Sequence, residues 1–447
     1  MNLTLEIHWE NTWHAAGEVR FMHPSQGLPG QPSFYYHANY AAAALESSGN
    51  FDQTNLIDHR AVGVNLPCHF GGDYHAGEIA PVLRDIIPQG AGRRFWVSQL
   101  GHSKDPGQAL DTTLLREGCV APVGNLRIKE AAERFYGRLN HQGTALFNRE
   151  DVVERADSLI EYAQTLGIAL GGATGAGGDA PKLLLAEGLS GKFALEGTLA
   201  DDQIFRHWLV KFPRGKKNRD DIAVLEGEGA IYQALEKRGF NTIKGARIDR
   251  AGKHTTLWLP RFDREVTKKG IAHHGVESVY SIMGHIGDGA ALNHVEIIGR
   301  LQAIIQHPDG SDALLADYLV RDILNTVIGN RDNHGRNMAI IKDGGPIKLA
   351  PAYDLAPMVL DPEGIARTTH WPESMRGDGL NADYVRVIRV LAKDSAEATS
   401  HLINQLETLS GWQNELRGLG APDLMLKHPG VRLNYVDQVL DELEKSL

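Results

Sequence analysis

Ile328–Gly–Asn–Arg–Asp–Asn–His–Gly–Arg–Asn337 is the stretch on which the reading of the fold turns. It follows a wide apolar stripe, Leu314, Leu315, Tyr318, Leu319, Ile323, Val327 and Ile328, of the kind that marks a core helix. The chain then becomes wholly polar, with Gly329 and Gly335 permitting turns. Asp332 and Asn337 stand five residues apart, and Asp354, within Tyr353–Asp354–Leu355, comes seventeen residues after Asn337, behind the strand-like Ile347–Leu349. Such a cluster is either a solvated turn in which Asp and Asn serve as caps, or a site.

Phosphoryl transfer from a nucleotide needs an acceptor-orienting base, oxygen ligands for magnesium and cations for the phosphates. A five-residue step from Asp to Asn is the spacing of a protein-kinase catalytic loop, in which the metal-binding Asp follows on a later strand. On this reading Asp332 is the base, and Asn337 and Asp354 are hard oxygen ligands for Mg2+. The cation should sit on a strand, and Trp208–Leu–Val–Lys–Phe–Pro213 offers Lys211 within an apolar run. Glu228 on the following helix is placed to pair with it, with Glu226 equally suited by charge. Upstream, Gly171–Gly–Ala–Thr–Gly–Ala–Gly–Gly–Asp–Ala–Pro–Lys182 is a glycine-rich loop whose N–H groups can converge on phosphate oxygens. It is no P-loop, because Lys182 follows Pro181 and Leu183 stands where Ser or Thr is required.

Farther out, Leu3, Leu5 and Ile7 alternate with polar residues as in a half-buried strand, and Val62, Val64 and Leu66 show the same period. The first helix signal follows Asn148, with Glu150 and Asp151 suited to a helix start and Gly167 to its end. Lys182–Ala186, Trp208–Phe212 and Thr256–Leu259 read as strands around a helix over Ala223–Arg238. From about residue 275 the pattern is mainly helical, ending with Val436, Val439, Leu440 and Leu443 at helical spacing. Strands early and helices late predict an α+β protein of two lobes.

Composition sets the bounds. The 447 residues are 42% hydrophobic and 23% charged, enough for a packed core and against wholesale disorder. Forty-six basic against fifty-six acidic side chains, net −10, argue against direct nucleic-acid binding or a polybasic membrane surface. Two cysteines, Cys68 and Cys119, give no disulfide framework and no thiolate zinc site. His69 with His75 and His273 with His274 lack the helical spacing of a zincin and read as structural or surface residues. With no basic-apolar leader and no apolar run of about eighteen residues, a soluble cytoplasmic protein is expected.

Taken in order, these pieces resemble the HipA family of serine/threonine kinases, the toxins of bacterial toxin–antitoxin modules. The likeness rests on Gly177–Gly178 with Pro181–Lys182, Val210–Lys211–Phe212–Pro213, Arg261–Phe262–Asp263–Arg264, Gly329–His334 with Asn337, and Leu349–Ala350–Pro351 with Tyr353–Asp354. Leu66–Pro67, Tyr74, Gly77, Ile87–Gly90 and Gly118–Ala121 extend it through the N-terminal part. The resemblance implies a kinase-like fold related to phosphatidylinositol kinases. Its parts would be a HipA-type N-terminal subdomain over 1–130, an N-lobe with glycine loop and phosphate lysine over 131–260, and a helical C-lobe over 261–447. ATP and Mg2+ would be the cofactors. Asp332 would be the proton acceptor, Gly177, Gly178, Asp179, Ala180, Pro181, Lys182 and Lys211 would meet the phosphates, and Pro260, Arg261 and Phe262 the adenine. His334 and Tyr353 would border the nucleotide, with Asn337 and Asp354 on the metal. The family position for an autophosphorylated serine is Gly175 here, which leaves Thr174 beside it as the candidate. The implied partners are a protein substrate, in some members an aminoacyl-tRNA synthetase, and a small helix-turn-helix antitoxin. The rival reading is a silent kinase-shaped module that binds an antitoxin or nucleotide without transferring phosphate.

Overall fold

The computed structural model describes residues 1–49, 56–168, 180–214, 219–287, 289–361, 364–377 and 381–447. They form two compact units, each discontinuous in sequence: one of 1–214, 249–286 and 340–346, the other of 215–248, 287–339 and 347–447.

The first unit carries two five-stranded sheets. In one, Asn2–Trp9 lies between Thr12–Phe21 and Leu126–Ile128, and the sheet continues through Pro32–Tyr36 to Asp73–Tyr74. The alternation of Leu3, Leu5 and Ile7 is that of a buried strand face, and all three are at most 1% exposed. Where Leu126–Ile128 no longer covers this strand, both oxygens of the Glu130 carboxylate accept the Thr4 N–H at 3.0 Å, which blunts an open edge. In the other sheet, Lys182–Gly188 lies between Phe193–Leu195 and Ile204–Lys211, and the latter pairs with His254–Pro260. Trp208 and Trp258 meet edge to face at 5.7 Å within its core.

Three sequence expectations fail here for identifiable reasons. Val62–Leu66 is a turn, not a strand. Tyr36 Oη accepts the Val62 N–H, Glu277 accepts that of Val64, and Leu66 closes back on Gly63, so side chains replace a strand partner. The segment after Asn148 forms two helices, Arg149–Glu154 and Asp157–Thr165, because Arg155 adopts a left-handed φ of 54°. The Asn148 cap itself is present, its N–H donating to Asp151. Helices also precede it: Ala38–Ser48, Ala76–Ile86, Gly90–Gln99, Asp111–Gly118 and Lys129–Gln142. Pro81 and the glycines of these segments hide them from propensity, while burial of Ile79, Val82, Leu83 and Ile86 holds the second in place.

The second unit is mainly helical. Helix Gly310–Val327 takes the expected core place and is followed, after its cap Ile328, by Gly329 with φ 68°. Arg219–Lys237 starts earlier than its apolar spacing suggests, with Asp220 and Asp221 in a first turn that favours acids. Arg238 ties its end to Glu415 at 2.7 Å and to the carbonyls of Thr408 and Ser410. Among the described residues, no helix is long and apolar enough to cross a membrane.

Candidate active site

The acidic set lies in the second unit, at the end of helix Gly310–Val327. Gly329 permits the exit: an added Cβ would lie 2.6 Å from Val359 and 2.8 Å from the Gly430 carbonyl. Asn330 follows, 2% exposed. Its Nδ2 donates to Asn325 Oδ1 at 2.9 Å and to the Asp354 carbonyl at 3.0 Å, while its Oδ1 accepts the Asp332 N–H at 3.1 Å. One buried carboxamide thereby joins the helix end, the base candidate and the metal-ligand candidate.

Asp332 keeps its side chain 20% exposed, reachable by an acceptor, with His334 Nε2 at 3.5 Å from Oδ1. His334 Nδ1 accepts the Arg336 N–H, so the loop's own backbone orients the ring. Asn337 donates Nδ2 to the Asp332 carbonyl and its N–H to the His334 carbonyl. With the amide nitrogen so fixed, the Asn337 oxygen is the end suited to a hard cation. Tyr353 donates to the Arg336 carbonyl at 2.6 Å, which fastens the segment carrying Asp354 to the loop.

Asp354 itself has φ 56°, a left-handed conformation rare outside glycine. Its neighbourhood is built by helix Arg219–Lys237. Gly227 lets that helix approach, since a Cβ there would lie 2.9 Å from Pro357 Cγ. Glu228 is buried at 2%, whereas Glu226 is only partly covered. Tyr232, one turn on, donates its hydroxyl to Glu228 Oε1 at 3.1 Å. Burial, then Glu228 and Asp354, push the Tyr232 phenol well above its ordinary range and keep it protonated.

The cationic set lies in the first unit. Lys182 and Lys211 are direct partners on adjacent antiparallel strands, so their side chains leave the sheet on the same face. Both are buried, at 4% and 6%. Pro181 accepts the Phe212 N–H at 2.9 Å, so pairing begins immediately after Ala180. Two lysines on one face of a sheet bring positive charge together, which suits them to phosphate oxygens. Gly177, Gly178, Asp179 and Thr174 lie outside the described residues.

The side chain of Arg261 is engaged in a cluster of charges. Its guanidinium, 2% exposed, binds Glu196 and Asp263, while Arg264 binds the same two carboxylates. Asp263 also accepts the Gly124 N–H, and both arginines reach the Pro122 carbonyl. Burial alone would raise the Asp263 carboxyl; Arg261 and Arg264 overcome it and hold it at about 2. Arg261 also donates its N–H to the His207 carbonyl, so neither its side chain nor its amide is left to the adenine. With Glu196, the Arg261–Phe262–Asp263–Arg264 motif thus makes a buried four-charge knot that pins the 122–124 turn.

Among the described residues no group of three or more His, Cys, Asp or Glu is placed to hold a metal, so a magnesium ion here would complete its shell with water and phosphate. Cys68 and Cys119 are buried, and burial pushes the Cys68 thiol up to about 12. Sequence reasoning missed Asn330, Gly227 and Tyr232 as builders of the site. Asn330 was visible inside the polar run, whereas Tyr232 looks like any core aromatic.

Comparison with known proteins places this geometry in a family. The HipA-like C-terminal domain matches residues 174–410, more than half of the chain. HipA of Shewanella oneidensis MR-1, solved in complex with HipB and its operator DNA, superposes with a TM-score of 0.61 at 17% identity, over 99% of this chain and 97% of that one, which shows the same fold. A proinflammatory kinase of Helicobacter pylori, CtkA, is matched over 54% of this chain and 85% of its own at 13% identity, and its TM-score of 0.34 is too slight to bear on the fold. No curated protein matches the sequence. The chain belongs to the HipA family.

Proposed function

We propose that the protein is a HipA-type kinase that transfers the terminal phosphoryl group of ATP, with Mg2+, to a serine or threonine of a cellular protein and so arrests growth. The observation that carries this reading is the bonding of Asp332, Asn337 and Asp354 into one set through Asn330 and the loop backbone. A capping turn would need none of these links. Asp332 would accept the proton of the acceptor hydroxyl at its exposed carboxylate, with His334 beside it. Asp354 and the Asn337 oxygen supply hard donors for the metal, and Lys182 and Lys211 supply charge for the phosphates. Magnesium, when bound, would neutralise phosphate charge as it shifts to the leaving group. A small antitoxin is the natural partner, since the Shewanella HipA was solved with HipB.

Transfer of label from γ-labelled ATP to protein, compared between the wild type and Asp332→Ala, tests the reading. Label that depends on Asp332 supports it. ATP binding without transfer to any protein, in extract as well as to itself, favours the silent module.

A further inference from the structure

The peptide that joins Asp354 to Leu355 is held at both of its polar ends. Its carbonyl accepts from Asn330 Nδ2 at 3.0 Å, and its N–H donates to Tyr232 Oη at 3.4 Å. The two holders come from separate elements, Asn330 from the turn after Gly310–Val327 and Tyr232 from the middle of Arg219–Lys237. Each is itself oriented. Tyr232 gives its proton to Glu228, which leaves the lone pairs of its hydroxyl for Leu355. Asn330 takes the Asp332 N–H on its oxygen and shares its nitrogen with Asn325, which fixes the end it presents to Asp354.

Rotation of this peptide by a half turn would exchange its carbonyl and its N–H. The N–H would then face the amide donor of Asn330, and the carbonyl a phenol whose proton is committed to Glu228. Both contacts would set like against like in a buried place, where an unmet polar group is costly. The left-handed Asp354 is the residue whose ψ such a rotation would change.

We propose that Tyr232 and Asn330 are positioning residues which lock the 354–355 peptide and thereby hold the Asp354 carboxylate in its metal-binding orientation. This rests on Asp354 being a metal ligand, as proposed above. The hydroxyl of Tyr232 does not touch the metal; it acts on the peptide beside the ligand. Its loss should therefore weaken metal binding selectively, not nucleotide binding as a whole.

The experiment uses the full chain, with Mn2+ as a paramagnetic probe titrated in the presence of a non-hydrolysable ATP analogue. Metal-free binding of the analogue and the melting temperature are measured alongside. Tyr232→Phe removes one hydroxyl and keeps the ring; it should weaken Mn2+ binding about tenfold, the worth of one buried hydrogen bond, with metal-free analogue binding within about twofold of wild type. Tyr232→Phe with Asn330→Ala should lose more than the two single effects combined, because one remaining holder still favours the peptide orientation in part and the double variant has neither. Mn2+ binding by Tyr232→Phe equal to wild type overturns the lock while leaving the kinase reading intact. Absence of Mn2+ binding by wild type overturns the metal assignment and the lock together. Should Tyr232→Phe fail to fold, Asn330→Ala reads the same peptide from its other end, and unchanged Mn2+ affinity there overturns the proposal equally.

Discussion

His8→Phe should make the fold less sensitive to acid. His8 is 4% exposed, its ring centroid lies 4.2 Å from that of His273 and 5.0 Å from Trp13, and its Nδ1 has no hydrogen-bond partner. Burial, then Arg264 and Arg127, lower its pKa from 6.5 to about 3. His273, the ring it packs against, is pushed down by burial and then Arg264. Both rings are therefore neutral in the folded protein across the physiological range.

The sign follows from linkage. The unfolded chain takes up a proton as pH falls through its ordinary histidine value, while the folded chain takes none until about 3, so stability is full above 6.5 and drains away below it. Between about pH 7.5 and about pH 5, one such histidine removes about 2 kcal/mol of stability. Phenylalanine has the shape for the same ring contact and nothing to protonate. Urea unfolding, followed by tryptophan fluorescence at both pH values, should show the wild type losing about 2 kcal/mol more than His8→Phe over that interval. Comparing losses cancels the contributions of groups common to both proteins. Equal losses would refute the neutral, buried state assigned to His8. A larger loss in the variant would show that the ring gains a proton favourably in the fold.

Other consequences are as open to measurement. Asp332→Ala should bind Mg-ATP nearly as wild type yet transfer phosphate at least about a hundredfold more slowly, since a base acts in the transition state; rate and binding measured together check this. Lys211→Ala should raise the nucleotide dissociation constant and lower the transfer rate, because its charge would serve both ground and transition states. Glu196→Gln removes one carboxylate from the knot around Arg261 and Arg264 and should cost about 3 kcal/mol or more in denaturant unfolding, as a broken buried ion pair does. Asp354→Gly should be at least as stable as wild type without ligand, whereas Asp354→Ala at the same left-handed φ should be about 1 kcal/mol less stable than the glycine variant; both should lose metal-dependent stabilisation in thermal melts.

What the sequence made legible followed from local pattern. Asp332, Asn337 and Asp354 stand out because polar residues cluster where an apolar helix ends, and the structure brings them together. Lys211 stands out as a charge within an apolar strand, and its pairing with Lys182 could be anticipated only in outline, because register is a tertiary fact. Arg261 hid its partners for the same reason. Beside a strand end it resembles a ligand contact, but Glu196, 65 positions upstream, claims it, and no window of sequence displays that distance. Val62–Leu66 failed because its donors are met by Tyr36 and by Glu277, the latter 213 positions from Val64. Local periodicity reports what a segment would do alone. It is silent where distant side chains supply the partners.

Asp354 shows why the most informative residue was also the least well explained by local rules. Aspartate is among the few side chains that tolerate a left-handed φ, but glycine would sit there more easily. Retaining the carboxylate costs on the order of 1 kcal/mol, and the surroundings must outweigh it. They do so from both sides of the residue. Asn330 and Tyr232 hold the peptide that follows it, and Tyr353, which precedes it, is fastened to the Arg336 carbonyl. A strained position held from several sides is what a fold retains when the side chain serves chemistry and not stability. Since Asn330 also carries the backbone of Asp332, the proposed base and the proposed metal ligand are set by one network, so that an error in either is transmitted to the other.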